Sequence, residues 1–230
     1  MNIKPNLKDN TWKEVIYASE NNCIPDTWKV GDEIELKLSG KYNETVTLQI
    51  WDFNHYEKAD GSGKANICFG MKHLMKYKQC MNLCNGNMDV DTWNDSYMKN
   101  VVMNDIYESI PEYIRNHIKE VNTYANNGCC YTCEEQGLLS KDKVFIPGLT
   151  ECCSDWSSQN QTETGQKLFS IFSNNSRIKK MNNGAGPAEW WPTRSPYYDR
   201  GDYFCNFYDN GGSDYNYAGG SFGVRFCFNI

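Results

Sequence analysis

The sequence has no apolar run approaching the length of a bilayer span, which excludes a membrane-spanning helix. Basic charge is also short: 23 Lys and Arg stand against 29 Asp and Glu, for a formal net charge of −6. Without a basic face, a dedicated nucleic-acid binder is excluded. Histidine is scarce, with three in 230 residues, and that limits acid–base catalysis. There is no nucleophile elbow, no phosphate-cradling glycine loop and no metalloprotease helix. The start, MNIKPNLKDNTWKEV, lacks the apolar stretch of a signal peptide, so the expectation is cytoplasmic synthesis without one.

What is present can build a core. Hydrophobic residues make up 40% and aromatics 14%, too much for a disordered chain. The length suits one large domain or two small ones. Neither a tandem repeat nor a linker interrupts it, so a single α+β domain over residues 1–230 is the simplest expectation.

Residues 9–53 read as strands: TWKEVI alternates, and GDEIELKL and ETVTLQIWDF carry period-two patterning. NICFGMKHLM is a further strand, or a strand running into a helix. From Trp93 the period changes, and WNDSYMKNVVMNDIYESI places residues 98, 101, 102 and 106 on one helical face, with Asn94, Asp95 or Ser96 as N-cap. Pro111 opens a second helix, PEYIRNHIKEV, with Ile114, Ile118 and Val121 on one side. Residues 122–143 read as an irregular excursion, interrupted before KVFIPGL, a short buried strand. SDWSSQNQTETGQ reads as polar loop, KLFSIF as a short amphipathic piece and NNSRIKKMNNGAGPAE as loop. The last forty residues alternate short β segments (EWW, YFCNF, GVRFCF) with loops of Gly, Asn, Asp, Ser and Tyr.

Eleven cysteines, an odd number, do not read as a disulfide framework. Cys130-x2-Cys133 followed by Cys152-Cys153 raises a zinc reading, but adjacent Cys152 and Cys153 do not readily form a knuckle. Zinc, an opportunistic disulfide and free thiols all stay open for this group, free thiols being the simplest. No metal ligand and no cofactor is assigned. Trp93-Asn94-Asp95 spells the tripeptide linked to calcium in sugar-binding lectins, yet its place before a helix favours capping. His117 lies beside Arg115 and Lys119 as on a solvated face. Asp52, Asn54 and His55 at a strand end could be catalytic, against the simpler reading of a structural histidine at a turn.

From Tyr197 to Ile230 there is no Lys, Glu, Gln, Met or Trp, although all eight methionines and all seven tryptophans lie upstream. At the upstream density roughly nine such residues would be expected in this tail. One account is that Gly- and Tyr-rich β loops avoid Lys and Glu anyway. The other concerns codons: randomising the adenines of AAC or AAT yields Tyr, Asp, Ser, Gly, Phe, Cys, Arg, His or Asn, and never the five missing types. That vocabulary suits a recognition surface, where Tyr supplies contact area and Ser, Gly and Asn adapt their hydrogen bonds.

WWPTRSP, YFCNF, DNGGSDYNYAGGS and GVRFCF resemble the variable C-terminal region of diversity-generating retroelement proteins. They are similar, more narrowly, to a family of gut-bacterial and phage domains ending in WWLRSP, a variable stretch and GVRP-x-F. TLQIWDFNHYE, GKANICFGMKHLM, WNDSYMKN, IPEYIRNHIKEV and KVFIPGLTE fit the same family in order. Pro192-Thr193 and the missing proline after GVR depart from its pattern.

The resemblance implies a C-type-lectin-like (formylglycine-generating-enzyme-like) single domain, with a variable ligand-binding region at 190–230. Trp190, Trp191, Arg194, Ser195, Pro196 and Gly223-Val224-Arg225 would be scaffold. The displayed set would come from Tyr197, Tyr198, Asp199, Arg200, Asp202, Tyr203, Asn206, Tyr208, Asp209, Asn210, Ser213, Asp214, Tyr215, Asn216, Tyr217, Ser221 and Phe222. Strand alternation would decide which half faces out. Phe204, Cys205 and Phe207 would point inward or support the site, with Phe226 and Phe228 in the core.

The function so implied is non-enzymatic recognition of a protein or glycan ligand, such as a cell-surface receptor, from a phage particle or cell surface. The oligomeric state is open. Two alternatives stand beside it: an oxidase of the formylglycine-generating type using the late Cys205 and Cys227, and a structural phage or surface component whose tail makes subunit contacts.

Overall fold

A computed structural model describes residues 1–83, 92–126, 137–154, 166–173, 176–197 and 200–230, the side chains of Arg200 and Gly201 excepted. The first segment corrects a sequence expectation, because TWKEVI is helical. Helix α1 (Trp12–Glu20) starts at a capping box in which Thr11 and Glu14 satisfy each other's backbone N–H. Trp12, Val15, Ile16 and Ser19 are buried along one side, the i, i+3, i+4 spacing of a helix rather than strand alternation.

Strands β1 (Glu33–Lys37), β2 (Thr45–Phe53) and β3 (Ile67–Met71) follow as antiparallel neighbours. β1 and most of β2 alternate in burial as their sequences suggest, whereas β3 is buried throughout. A register shift between Ile50 and Asp52 interrupts the β2–β3 ladder. Trp51 lies so close to Gly70 that a Cβ there would come within 2.1 Å of its ring, so only glycine fits. The short β4 (Lys78–Gln79) comes next.

The helical reading after Trp93 holds for Met98, Val102 and Ile106, which are buried, but Val101 is exposed, because the wider π-helical turn puts Met103 rather than Val101 beside Met98 and Val102. A π-helical segment, Met98–Met103, runs into α2 (Asn104–Ser109), and Ser96 supplies the cap, its Oγ accepting the Lys99 N–H at 3.1 Å. The second helix is shorter than expected: α3 (Glu112–Arg115) ends before Ile118. Ile114, Ile118 and Val121 are all buried, but the Lys119 N–H is drawn to the Asn229 carbonyl and Val121 opens β5 (Val121–Ala125). β5 pairs with β6 (Leu138–Asp142), so the expected irregular excursion contains an antiparallel pair. Then come β7 (Val144–Phe145), α4 (Leu149–Cys152) and a 3-10 turn at Ser170–Phe172. β8 (Lys179–Lys180) and β9 (Ala188–Glu189) pair within the stretch expected to be loop.

The tail forms β10 (Trp191–Tyr197), β11 (Arg200–Phe207), β12 (Ser213–Tyr217), β13 (Phe222–Gly223) and β14 (Cys227–Asn229). β14 inserts between β3 and β7, giving the antiparallel order β1-β2-β3-β14-β7. Phe69 and Phe228 meet Trp12 of α1 there, at 5.2 and 6.0 Å between ring centroids. Ser19 donates to the Ile230 carbonyl at 2.8 Å, tying the first helix to the last residue. One hydrophobic cluster runs from Leu7 to Ile230. The fold is α+β, mostly antiparallel with few helices. Among the described residues no helix is long and apolar enough to cross a membrane.

Candidate functional site

The antiparallel sheet β10-β11-β12 carries the site and is fixed from beneath. Trp191 Nε1 donates to the Arg177 carbonyl, Thr193 Oγ1 donates to the Cys205 carbonyl, and Ser195 Oγ accepts the Leu149 N–H. Arg194, fully buried, holds both oxygens of Glu151 at 2.8 and 2.9 Å, and also the Ile146 and Tyr124 carbonyls. Burial alone would raise the Glu151 carboxyl, but the Arg194 charge and bonds from His55 and Arg194 hold it well below the usual range. Arg225 is buried among Trp51, Phe172 and Trp191, its guanidinium carbon 4.2, 4.9 and 5.3 Å from their ring centroids. Thus WWPTRSP and GVR form a support.

Register decides what that support displays. Tyr203, Cys205 and Phe207 of β11 stand opposite Tyr217, Tyr215 and Ser213 of β12, and directly opposed residues share a face. At the inner end of this face Cys205, Phe207 and Trp191 are buried. At the outer end the tyrosines interlock. Tyr197 stacks on Tyr215 at 3.7 Å, while Tyr203 meets Tyr215 and Tyr217 edge-on at 5.7 and 6.0 Å. Tyr215 is 37% exposed.

The residues named from the sequence therefore divide. Asp209, Asn210, Tyr215 and Ser221 are exposed, and Asp202, Tyr203, Tyr208, Ser213, Asp214, Asn216 and Tyr217 are half-buried. Tyr197, Asn206 and Phe222 are buried, which corrects their place in the displayed set. Tyr197 lies beneath the Tyr215 ring, and Phe222 sits where β13 pairs with β4. Asn206 lies in the central strand of the sheet, with no partner for its Oδ1 or Nδ2 among the described residues. Tyr198, Asp199 and the Arg200 side chain lie outside the described residues. Phe204, Cys205, Phe207, Phe226 and Phe228 are all buried.

The turn between β11 and β12 is locally encoded. The Gly211 N–H bonds to the Tyr208 carbonyl, and Asn210 Oδ1 accepts the Gly212 N–H. Gly211 has φ +84°, and a Cβ there would come within 3.1 Å of Ile178. Two further contacts escaped the sequence reading: Trp190 against Tyr208 at 4.4 Å, and Arg177 over Phe207 at 5.6 Å. Both span long stretches of sequence, and no periodicity signals them.

The other polar groups singled out from the sequence are engaged in local contacts. His55 Nδ1 lies 2.9 Å from Asp52 and Nε2 3.8 Å from Glu151, with the ring stacked on Phe169 at 4.1 Å. Its side chain is nearly inaccessible. Trp93 Nε1 donates to Asp142 and Asn94 Nδ2 to the Leu139 carbonyl, so these two side chains brace β6. His117 bonds to Glu20 at the surface.

Cys152 and Cys153 are buried free thiols, whereas Cys129, Cys130 and Cys133 lie outside the described residues. Among the described residues no group of three or more His, Cys, Asp or Glu is placed to hold a metal ion. Cys205 and Cys227 are both buried free thiols, in separate sheets. Burial pushes the Cys227 thiol well up, away from the reactive thiolate.

No curated protein and no solved structure matches the chain. Residues 72–230, which include the whole tail sheet and β14, match the family described as a domain of unknown function, DUF6273. The chain belongs to that family.

Proposed function

We propose that this protein is a non-enzymatic ligand-binding protein of the diversity-generating retroelement type. Its C-type-lectin-like scaffold displays the variable Tyr/Asp/Asn/Ser/Gly surface between Tyr203 and Ser221 to a protein or glycan. The observation that carries the reading is the cluster of Tyr197, Tyr203, Tyr215 and Tyr217, interlocked at the outer end of a sheet whose inner end is buried. Rings already held in place lose little freedom when a partner covers them, while Asp209, Asn210 and Asp214 offer hydrogen bonds that set specificity. Glu189, Trp190 and Trp191 are the last residues of the missing types, and no Lys, Glu, Gln, Met or Trp follows through the displayed segment.

Sequencing the coding locus and its downstream flank tests this. The expected result is a near-repeat of codons 190–230 that differs only where the second copy has adenines. A flank without such a repeat would leave the tail as ordinary loop composition and overturn the retroelement reading.

A further inference from the structure

A second site lies beside the tyrosine face. A cavity of about 440 Å³, within the range of small-molecule sites, opens between the Cys152–Ser154 segment, the Leu168–Phe172 turn, Ser176-Arg177 and the Asn210-Gly211 turn. In a chain with 29 acidic residues, no carboxylate lines it among the described residues.

Two side chains at the rim keep donors to give, while Ser173 gives its own proton to the Ser170 carbonyl. Ser176 Oγ accepts the Ile178 N–H, so its hydroxyl proton remains to be given. Asn210 Oδ1 accepts the Gly212 N–H, so its amide NH2 remains. The Arg177 guanidinium lies over the Phe207 ring and makes no ion pair among the described residues. Gly211 rests on Ile178, which fixes the Asn210 turn against the Arg177-Ile178 segment that leads into β8.

The cavity wall also adjoins buried positive charge. Phe172, part of that wall, is one of the rings around Arg225. Neither Nη1 nor Nη2 of Arg225 has a partner among the described residues. A guanidinium, a hydroxyl and an amide line a space with no carboxylate among the described residues, beside the buried Arg225 guanidinium, and such a donor set fits a tetrahedral oxyanion.

We propose that the cavity between Phe172, Ser176, Arg177 and Asn210 binds a phosphate group, either free or carried by a small molecule. The test is calorimetric titration of the full chain with inorganic phosphate and with glucose 6-phosphate at constant ionic strength. One-to-one binding is expected, weakened about tenfold or more by Arg177→Gln, since a charged bidentate donor is lost. Ser176→Asp, at an exposed rim position, places a carboxylate in the space and is expected to abolish binding even if Arg177→Gln fails to fold. Comparable affinity for both probes identifies the free ion as sufficient, and tighter binding of the ester identifies a phosphorylated small molecule. Absence of saturable binding to either probe, or binding indifferent to both substitutions, overturns the proposal.

Discussion

Arg194 and Glu151 form a two-pronged ion pair at 2.8 and 2.9 Å in which neither side chain reaches solvent. Glu151 also accepts the Tyr56 hydroxyl at 2.6 Å and the Gly148 N–H at 2.9 Å. The pair joins α4 to β10, and so fastens the tail sheet to the rest of the core. Desolvation makes such a pair a poor net stabiliser compared with apolar packing, but losing one partner strands the other charge.

Arg194→Met should therefore destabilise strongly, by about 3–5 kcal/mol, because Glu151 is left buried and unpaired. Replacing both residues together, Arg194→Met with Glu151→Leu, should recover part of that loss. Urea unfolding of the two variants checks the order. Equal losses in the single and double variants would mean that the hydrogen bonds to carbonyls, rather than the charge, dominate.

His55 predicts a pH dependence. Burial alone would lower its proton affinity, but the bond to Asp52 and the Glu151 carboxylate outweigh burial and raise it above the ordinary 6.5. A histidine whose folded value is raised contributes stability that is fully present below 6.5 and lost as pH rises through the folded value. The two carboxylates facing it have lowered values, so their contributions are present at neutral pH and lost only as the solution turns acidic. The stability gap between wild type and His55→Gln should be widest near pH 5.5 and shrink toward pH 9. Thermal melts across that range measure it, and a constant gap would mean His55 acts only by packing.

Part of this architecture was legible in the sequence, and the failures have identifiable causes. Period-two patterning located β1 and β2 because each has one half-buried face. TWKEVI misled because a six-residue window alternates by chance, while the Thr11–Glu14 box marks the helix start. PEYIRNHIKEV put the right residues in the core but in the wrong element, since Asn229 from the far end of the chain takes the Lys119 N–H. In the tail, alternation could not separate displayed from buried positions, because β11 is buried on both faces from Phe204 to Phe207. Asn206 looks like a surface residue in sequence and is not one in the structure.

Lys179 should be a site where substitution stabilises. Burial, with the Arg225 charge adding to it, pushes its ammonium down to about 6 from 10.5. Glu189, its partner in the β8–β9 ladder, has its carboxylate on Lys78 instead. With the folded value depressed, the unfolded chain binds more protons between about 6 and 10.5, so the cost grows as pH falls across that window. Lys179→Met removes the cost while keeping the length of the side chain. A gain of about 1–2 kcal/mol is expected at pH 6 and less at pH 10. A loss at both pH values would mean that the ammonium has a structural role.

The tyrosine cluster yields the prediction that bears most directly on function. Tyr215 is 37% exposed yet stacks on Tyr197 and meets Tyr203, so its ring is both an organiser and a contact surface. Truncation to alanine removes one stacked and one edge-on aromatic contact, for an expected cost of about 1–2 kcal/mol, well below that of emptying a core site. Tyr217→Ala loses an edge-on contact with Tyr203 but no stacked ring such as Tyr215 has in Tyr197, and should cost less. On the proposed recognition surface such losses are tolerable, because the buried support rather than the exposed rings holds the sheet in place. Phe207→Ala is the contrast, since that ring is fully buried against Trp191 at 4.6 Å. It should cost about 3–5 kcal/mol. Urea unfolding of the three variants ranks them, with the predicted order Phe207, then Tyr215, then Tyr217. If Tyr215→Ala proved as damaging as Phe207→Ala, the tyrosines would be core in energetic terms, and the ligand surface would have to be sought among Asp209, Asn210 and Ser221 alone.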